Sequence, residues 1–383
     1  MNRAPTIREL IMGGIETVGS REEELVLDVI RRKKIFRYAF NDQEVTASYV
    51  YRFEKMFREF IGAGYSLAVS SGTAALRTAL AAAGIKAGDE VIVPAYTFVA
   101  TLEAVIESGA RPVLVEIDDS FNINPVKIEK AITAKTRAIM PVHMMGSAAA
   151  MDEIQASARK HNLFVVEDAC QAVGAKYQGK LVGTLGQISA FSFDSAKLLT
   201  CSEGGMIVTN DAELYRKADR FHDHGHVHDL SLPRGKEPKE GGGVNFRLSE
   251  ILAAFGLAQM ERLPGMLESL RRNRSRIKDG LRLPAGFTFR RFNDPEDAAT
   301  FLAVLAPNQG RADKVKEGLL KAGITPATLN YWHYQANQDL VSGSYPETED
   351  YIGRAIVLEI KVKMGDEQIT QIISTLNENF GSG

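Results

Sequence analysis

The chain has 383 residues, 45% hydrophobic and 25% charged, with 46 basic and 48 acidic side chains and a formal net charge of −2. That length and balance suit a globular protein of two or three domains around a large core, and the near-neutral charge leaves no footprint for nucleic acid or an anionic membrane. The opening MNRAPTIREL lacks the apolar run of a secretory leader, no apolar stretch reaches spanning length, and Cys170 and Cys201 are too few for a disulfide framework, so a cytoplasmic protein is expected.

In chain order, residues 1–60 read as an arm and helix packing on a large domain, with a helical REEELVLDVIRRKK and an aromatic-basic YVYRFEKMFREF. From about residue 66 to 210, short β-rich runs alternate with helical stretches: VIVPAY, TLEAVIESG, RPVLVEI, IEKAI, RAIMPVH, MDEIQASARKH and LFVVED. Such alternation predicts an α/β large domain over 61–245, built on a mostly parallel sheet sandwiched by helices, whose ligands sit at the carboxyl ends of the strands. ISAFSF and GGMIVTN predict two further strands in a hairpin-like excursion. A His/Gly/Pro-rich loop spans about 222–244 and is expected to depend on a partner for order; a long helix starts at Ser249 and is interrupted near Pro264. Within 246–383, beyond that linker helix, FTFRRF and FLAVLAP read as strands, and RADKVKEGLLKAG and DEQITQIISTLNENF as helices, giving a smaller C-terminal α+β domain.

Several residues can carry chemistry. Ser71, Gly72 and Thr73 open an alanine-rich helix, where free N–H groups and the helix dipole suit a phosphate, although a plain helix cap reads the same way. Asp168 ends the apolar run LFVV with Gln171 three residues on; a carboxylate there serves catalysis, a salt bridge or a cap. Phe98 follows another strand end and is read either as core or as a ring neighbour. In SFDSAKLLTCSEGG, Lys197 is flanked by Ser192, Ser195, Thr200 and Glu203, an unusually constrained setting for a lysine. HDHGHVH places His222, His224, His226 and His228 at every second position, but a structural zinc site draws ligands from two elements, and no metal is expected.

Taken in order, SSGTAAL, GDEVIVPAYTFVAT, VHMMG, EDACQAVGA, FSFDSAK, EGGMIVTND and GVNFRLSE resemble the sugar aminotransferases of the DegT/DnrJ/EryC1/StrS group, pyridoxal phosphate enzymes of fold type I. The resemblance covers most of residues 60–260. It implies that Lys197 bonds the aldehyde of pyridoxal 5'-phosphate, that Asp168 partners its ring nitrogen, that Gln171 neighbours its phenolic oxygen and that Phe98 stacks on its ring. Gly72, Thr73 and Ser192 would hold the phosphate, joined by Asn245 from the second subunit of a homodimer; Arg247 would add charge toward the phosphate or a substrate carboxylate. Lys197 and Asp168 are then the catalytic pair, with glutamate as donor and a keto or aldehyde sugar as acceptor, in glycan or lipopolysaccharide assembly.

A narrower likeness, through HMMGS, EDACQAVG, SFDSAKLLTC, DHGHVH and NYWHY, is to the aminotransferases that convert an 8-oxo-3,8-dideoxy-octulosonate to its 8-amino sugar. A nucleotide-linked keto sugar is the alternative acceptor. A sugar dehydratase of the same family carries histidine in place of the lysine, and a non-catalytic sensor has no use for an intact lysine, aspartate and phosphate cradle.

Overall fold

The structure is a computed structural model and describes residues 13–41, 43–229, 231–232, 234–327 and 330–381; the leader reading of residues 1–10 lies outside the described residues. The arm forms two helices, α1 (Ser20–Arg32) and α2 (Tyr49–Ile61). At α1 the Gly19 N–H donates to the Glu22 carboxylate at 2.9 Å. At α2 the Ser48 hydroxyl accepts from Tyr51 N–H, and Gly62 ends the helix in the left-handed region with φ 74°.

The alternation that follows is β1 (Tyr65–Val69), α3 (Gly72–Ala82), β2 (Glu90–Pro94), α4 (Ala100–Glu107), β3 (Arg111–Val115), α5 (Pro125–Ala131), β4 (Thr136–Ile139), α6 (Met151–His161) and β5 (Phe164–Asp168). A small hairpin, β6 (Lys176–Tyr177) and β7 (Lys180–Leu181), precedes β8 (Ile188–Ser192), β9 (Gly205–Thr209) and α7 (Ala212–His222). Seven strands form one sheet in the order β1-β9-β8-β5-β4-β2-β3, in which β9 runs against the rest. The expected β8–β9 hairpin is present, and its connection carries Lys197. Parallel strands put the carboxyl ends of β1, β2, β5 and β8 on one edge, so Ser71, Phe98, Asp168 and Ser192 converge although they are far apart in sequence.

Helix α8 (Glu250–Gly280) is continuous, so the interruption expected at Pro264 does not occur. A proline inside a helix costs about 3 kcal/mol. Leu263, Met266 and Leu267 around it are 0%, 3% and 4% exposed, and burying each stabilises by roughly 1.5–3 kcal/mol. Packing along α1 and α2 thus keeps the two halves in line.

The C-terminal part has a three-stranded antiparallel sheet, β10 (Thr288–Phe289), β11 (Phe301–Leu305) and β12 (Ala355–Glu359), with β11 central. Helices α9 (Gln309–Lys321), α10 (Ala336–Leu340), α11 (Pro346–Arg354) and α12 (Asp366–Gly381) accompany it. Of the strand read in FTFRRF, Thr288–Phe289 forms β10 and Arg290 N–H adds one bond to Ala303 O at 3.1 Å, while the Arg290 side chain turns inward and donates to the carbonyls of Met144 and Met145, each at 3.3 Å.

The described residues of the 222–244 stretch make several contacts within the chain. Asp223 bridges to Asn245 and His226 to Lys239 in short antiparallel pairings. Asp223 also accepts from His228 at 2.9 Å, Arg234 at 2.8 Å and Arg247. Burial alone would raise the Asp223 pKa; these three donors outweigh it and hold the carboxyl well below its usual range.

Candidate active site

Strand alternation sets the first wall. Phe191 and Phe193 point into an aromatic cluster with Phe53 and Phe57 on α2, at centroid distances of 5.0–5.5 Å, so Ser192 between them faces the opposite side, toward the start of α3. There the Ser71 hydroxyl accepts from Ala74 N–H at 3.0 Å. The N–H groups of Gly72 and Thr73 have no acceptor among the described residues. Gly72 lies against Ser192 and leaves the helix end open. Two free donors on the positive end of a helix dipole, beside two hydroxyls, make an anion cradle.

The second wall is β5. Glu167 turns into the interior, accepting from Gly183 N–H at 2.8 Å and Leu185 N–H at 2.7 Å and from His143 Nε2 at 2.9 Å. His143 Nδ1 accepts from Ala149 N–H at 3.1 Å, which fixes the proton on Nε2. The next side chain, Asp168, therefore faces the cleft, 3% exposed. Its Oδ2 accepts from the Thr101 hydroxyl at 2.8 Å and its Oδ1 from Cys170 N–H at 3.1 Å, which leaves lone pairs for another donor. Burial first and Asp168 second push the Cys170 thiol well up, so it stays protonated.

Lys197 Nζ lies 5.8 Å from the centre of the Phe98 ring and has no hydrogen-bond or ion-pair partner among the described residues. Phe98 is 40% exposed, one face open to the cleft. The π-helical turn Tyr331–Gln335 is stitched beside it by hydrogen bonds from Thr97 N–H to His333 O at 3.0 Å and from Val99 N–H to Trp332 O at 2.9 Å. The His333 ring meets Phe98 edge-on at 5.5 Å, and its buried Nδ1 has no partner among the described residues. Burial, then the nearby Lys197, lowers its pKa to about 4.

These features fit pyridoxal phosphate: an uncommitted amine over an aromatic face, a buried carboxylate with spare acceptor capacity, and an anion cradle at a helix start. Lys197 stands beside Phe98, Gly72 lies against Ser192, and Asp168 ends β5, the strand next to β8. Gln171 gives its carbonyl oxygen to Met145 N–H at 3.0 Å, leaving its amide donor for a ligand. Asn245 is exposed and makes no side-chain hydrogen bond among the described residues. Arg247 departs from expectation: it pairs with Asp223 and lies over Phe36 at 5.4 Å, so its charge is spent away from the cradle. The histidine stretch also serves packing. His228 contacts Asp219 at 2.7 Å and Asp223 at 2.9 Å and stacks on Tyr38 at 4.2 Å.

Sequence reasoning missed Thr101 and His333 as site residues. Thr97 and Thr101 stand four apart where β2 gives way to α4, a spacing that brings their hydroxyls to 2.7 Å; that spacing was the available signal.

A sequence model of the DegT/DnrJ/EryC1/StrS aminotransferase family matches residues 31–377. The chain belongs to this family. The GDP-perosamine synthase of Escherichia coli O157:H7 is 34% identical over 341 residues, 87% of this chain and 90% of that protein. The GDP-perosamine synthase of Caulobacter vibrioides is 44% identical over 221 residues, 56% of this chain and 57% of that protein. Among solved structures, NtdA from Bacillus subtilis with the cofactor PMP bound superposes with TM-score 0.81 at 25% identity, over 98% of this chain and 84% of that one. PMP is the amine form of pyridoxal phosphate. This member of the family is a pyridoxal phosphate-dependent sugar aminotransferase with the α/β architecture of its relatives. No helix among the described residues is long and apolar enough to cross a membrane.

Proposed function

We propose that the enzyme transfers an amino group from glutamate to the carbonyl of a nucleotide-linked keto sugar in glycan assembly. The observation that carries the reading is the uncommitted Lys197 amine facing Phe98, at the edge of the sheet that also holds Asp168 and the Gly72–Thr73 cradle. The names of the relatives favour a nucleotide-linked acceptor over the free octulosonate suggested by HMMGS and NYWHY.

When bound, pyridoxal phosphate supplies an electron sink for the bond broken at the amine-bearing carbon. The residues do the rest. Lys197 would take the proton from that carbon as general base and, as general acid, hand it on to a different carbon. Asp168, fixed by Thr101 and Cys170 N–H, would accept a hydrogen bond from the ring nitrogen and favour its protonated form. Gly72, Thr73 and Ser192 would hold the phosphate, and Phe98 would lie beside the ring. The exposed Asn245 supports completion of the cradle by a second copy of the chain in a homodimer.

Titrating the purified protein with pyridoxal phosphate should produce a visible absorption band that glutamate bleaches and Lys197→Ala abolishes. With ¹⁵N-glutamate, mass spectrometry should find the label in the amino sugar formed from a GDP-linked keto sugar. Label appearing only in a free keto acid sugar would overturn the acceptor assignment and leave the cofactor chemistry standing.

A further inference from the structure

The Lys197 backbone is held from outside its own loop at one point among the described residues. Within the loop, Lys197 N–H donates to Asp194 O at 2.9 Å, and Asp194 Oδ1 accepts from Ala196 N–H at 2.9 Å. From outside, the Lys197 carbonyl accepts from Gly14 N–H at 2.9 Å. Gly14 belongs to a helical turn, Gly13–Thr17, that lies directly on the lysine loop. The approach is so close that a Cβ on Gly13 would run into the Lys197 carbonyl, and one on Gly14 into the Leu198 carbonyl, with Gln259 Oε1 2.8 Å away. Gly13 also holds φ +65°, which only glycine adopts without strain. Both glycines are therefore required by the contact itself.

The same turn is anchored on two other sides. Glu359, at the end of β12, faces Gly13 N–H, which favours its ionised form. Glu16 accepts from Lys363 N–H at 3.1 Å with its side chain and from Lys363 Nζ at 2.7 Å with its carbonyl. The Thr17 hydroxyl donates to Gly14 O at 2.8 Å and lies 3.3 Å from Gln259 Oε1 on α8. One short segment thus joins the small sheet, the long helix and the peptide that carries the site's amine.

We propose that the Gly13–Gly14 strap is the positioning element of the active site: it fixes the Lys197 carbonyl, aims the side chain at Phe98, and ties the lysine to the segment after β12 through Glu16 and Lys363. The inference rests on Lys197 being the cofactor's lysine. Loss of the strap lets the peptide rotate while the rest of the site stays in place, and an amine displaced by about 1 Å loses much of its advantage in reaction.

The test is Gly14→Ala in the full chain, with Gly19→Ala as control because a Cβ there meets nothing within 4 Å. Two readouts do not depend on turnover: the dissociation constant for pyridoxal phosphate, and the pH midpoint of the bound cofactor's visible absorption. Gly14→Ala should weaken binding about tenfold or more and move the midpoint by about half a pH unit or more, with the far-ultraviolet circular dichroism of the wild type; Gly19→Ala should change neither. A folded Gly14→Ala protein with wild-type affinity and midpoint would overturn the proposal. If Gly14→Ala does not fold, the pair Thr17→Val and Thr17→Ser decides. Valine removes the hydroxyl that donates to Gly14 O and serine keeps it, so the valine variant should shift the midpoint and serine restore it; identical midpoints would count against the strap. A wild-type chain showing no visible band would sink the assignment of Lys197 and the strap's role with it, whereas a band untouched by Gly14→Ala would sink the strap alone.

Discussion

Gly72 and Ser192 meet so closely at the helix start that a Cβ on Gly72 would lie 2.7 Å from Ser192 Cβ and 2.9 Å from Ser192 Oγ. The glycine is there for space between α3 and β8, since it sits in an ordinary helical position. Gly72→Ala should push Ser192 off the cradle and narrow the approach to the Gly72 and Thr73 N–H groups. We expect affinity for pyridoxal phosphate to fall by about tenfold or more, in line with disturbing charge-assisted hydrogen bonds to a phosphate. Equilibrium titration of the visible band checks this, and an unchanged dissociation constant would remove Gly72 from the cradle.

Thr101 offers a cleaner lesion. Its hydroxyl donates to Asp168 Oδ2 at 2.8 Å and meets Thr97 Oγ1 at 2.7 Å, so the carboxylate is oriented from α4 as well as from β5. Thr101→Val keeps the shape and deletes one hydrogen bond to a charged group, worth about 1.5–3 kcal/mol. A fall of about tenfold in kcat is expected, with the KM for glutamate changed far less. Equal losses in kcat and in glutamate affinity would point to a collapsed site instead.

The sheet was legible for a physical reason: a parallel sheet gathers the ends of its strands, so short motifs at those ends converge whatever lies between them. Ser71, Phe98 and Asp168 follow apolar runs and could be placed at strand ends on that basis, whereas their roles toward a cofactor, and that of Lys197, came only from the family resemblance. What could not be read depended on tertiary packing. Pro264 stays inside α8 because its neighbours Leu263, Met266 and Leu267 are buried. The Arg290 side chain is buried on the carbonyls of Met144 and Met145, which no local pattern encodes. The AIVLE run that forms β12 passed unread, since four apolar residues next to a helix suit either structure. His333 sits in a motif that was noticed, but its unpartnered nitrogen shows only once Phe98 and Lys197 stand beside it.

The histidine stretch yields a metal test. Both ring nitrogens of His228 are occupied by Asp219 and Asp223, and His222 Nε2 faces the Tyr38 hydroxyl at 3.0 Å, so the geometry describes an ion-paired lock. Chelator treatment should leave the melting temperature unchanged, and elemental analysis should find no stoichiometric zinc. Burial would lower the His228 pKa, but the two carboxylates outweigh it and raise it. The stability this pair contributes is therefore complete below about pH 6.5 and is lost as pH rises through the raised value. His228→Gln should cost about 1–3 kcal/mol at pH 6 and less at high pH. A loss that grows with pH would contradict the assigned ion pairs.

Glu359 has the opposite sign. Burial, only partly offset by Lys361 and Gly13 N–H and reinforced by Glu16, pushes its carboxyl from 4.5 up to about 7. An acid with a raised folded pKa stabilises the folded chain through its proton. Between pH 4.5 and about 7 the folded chain keeps a proton that the unfolded chain has released, so stability falls as pH rises through that window and stays low above it. The shift corresponds to roughly 1–3 kcal/mol after allowance for partial exposure. Glu359→Gln, which keeps an acceptor for Gly13 N–H, should match the wild type near pH 4.5 and exceed it by that amount at pH 8 in urea denaturation. A variant that tracks the wild type across the whole range would mean that Glu359 stays ionised in the fold.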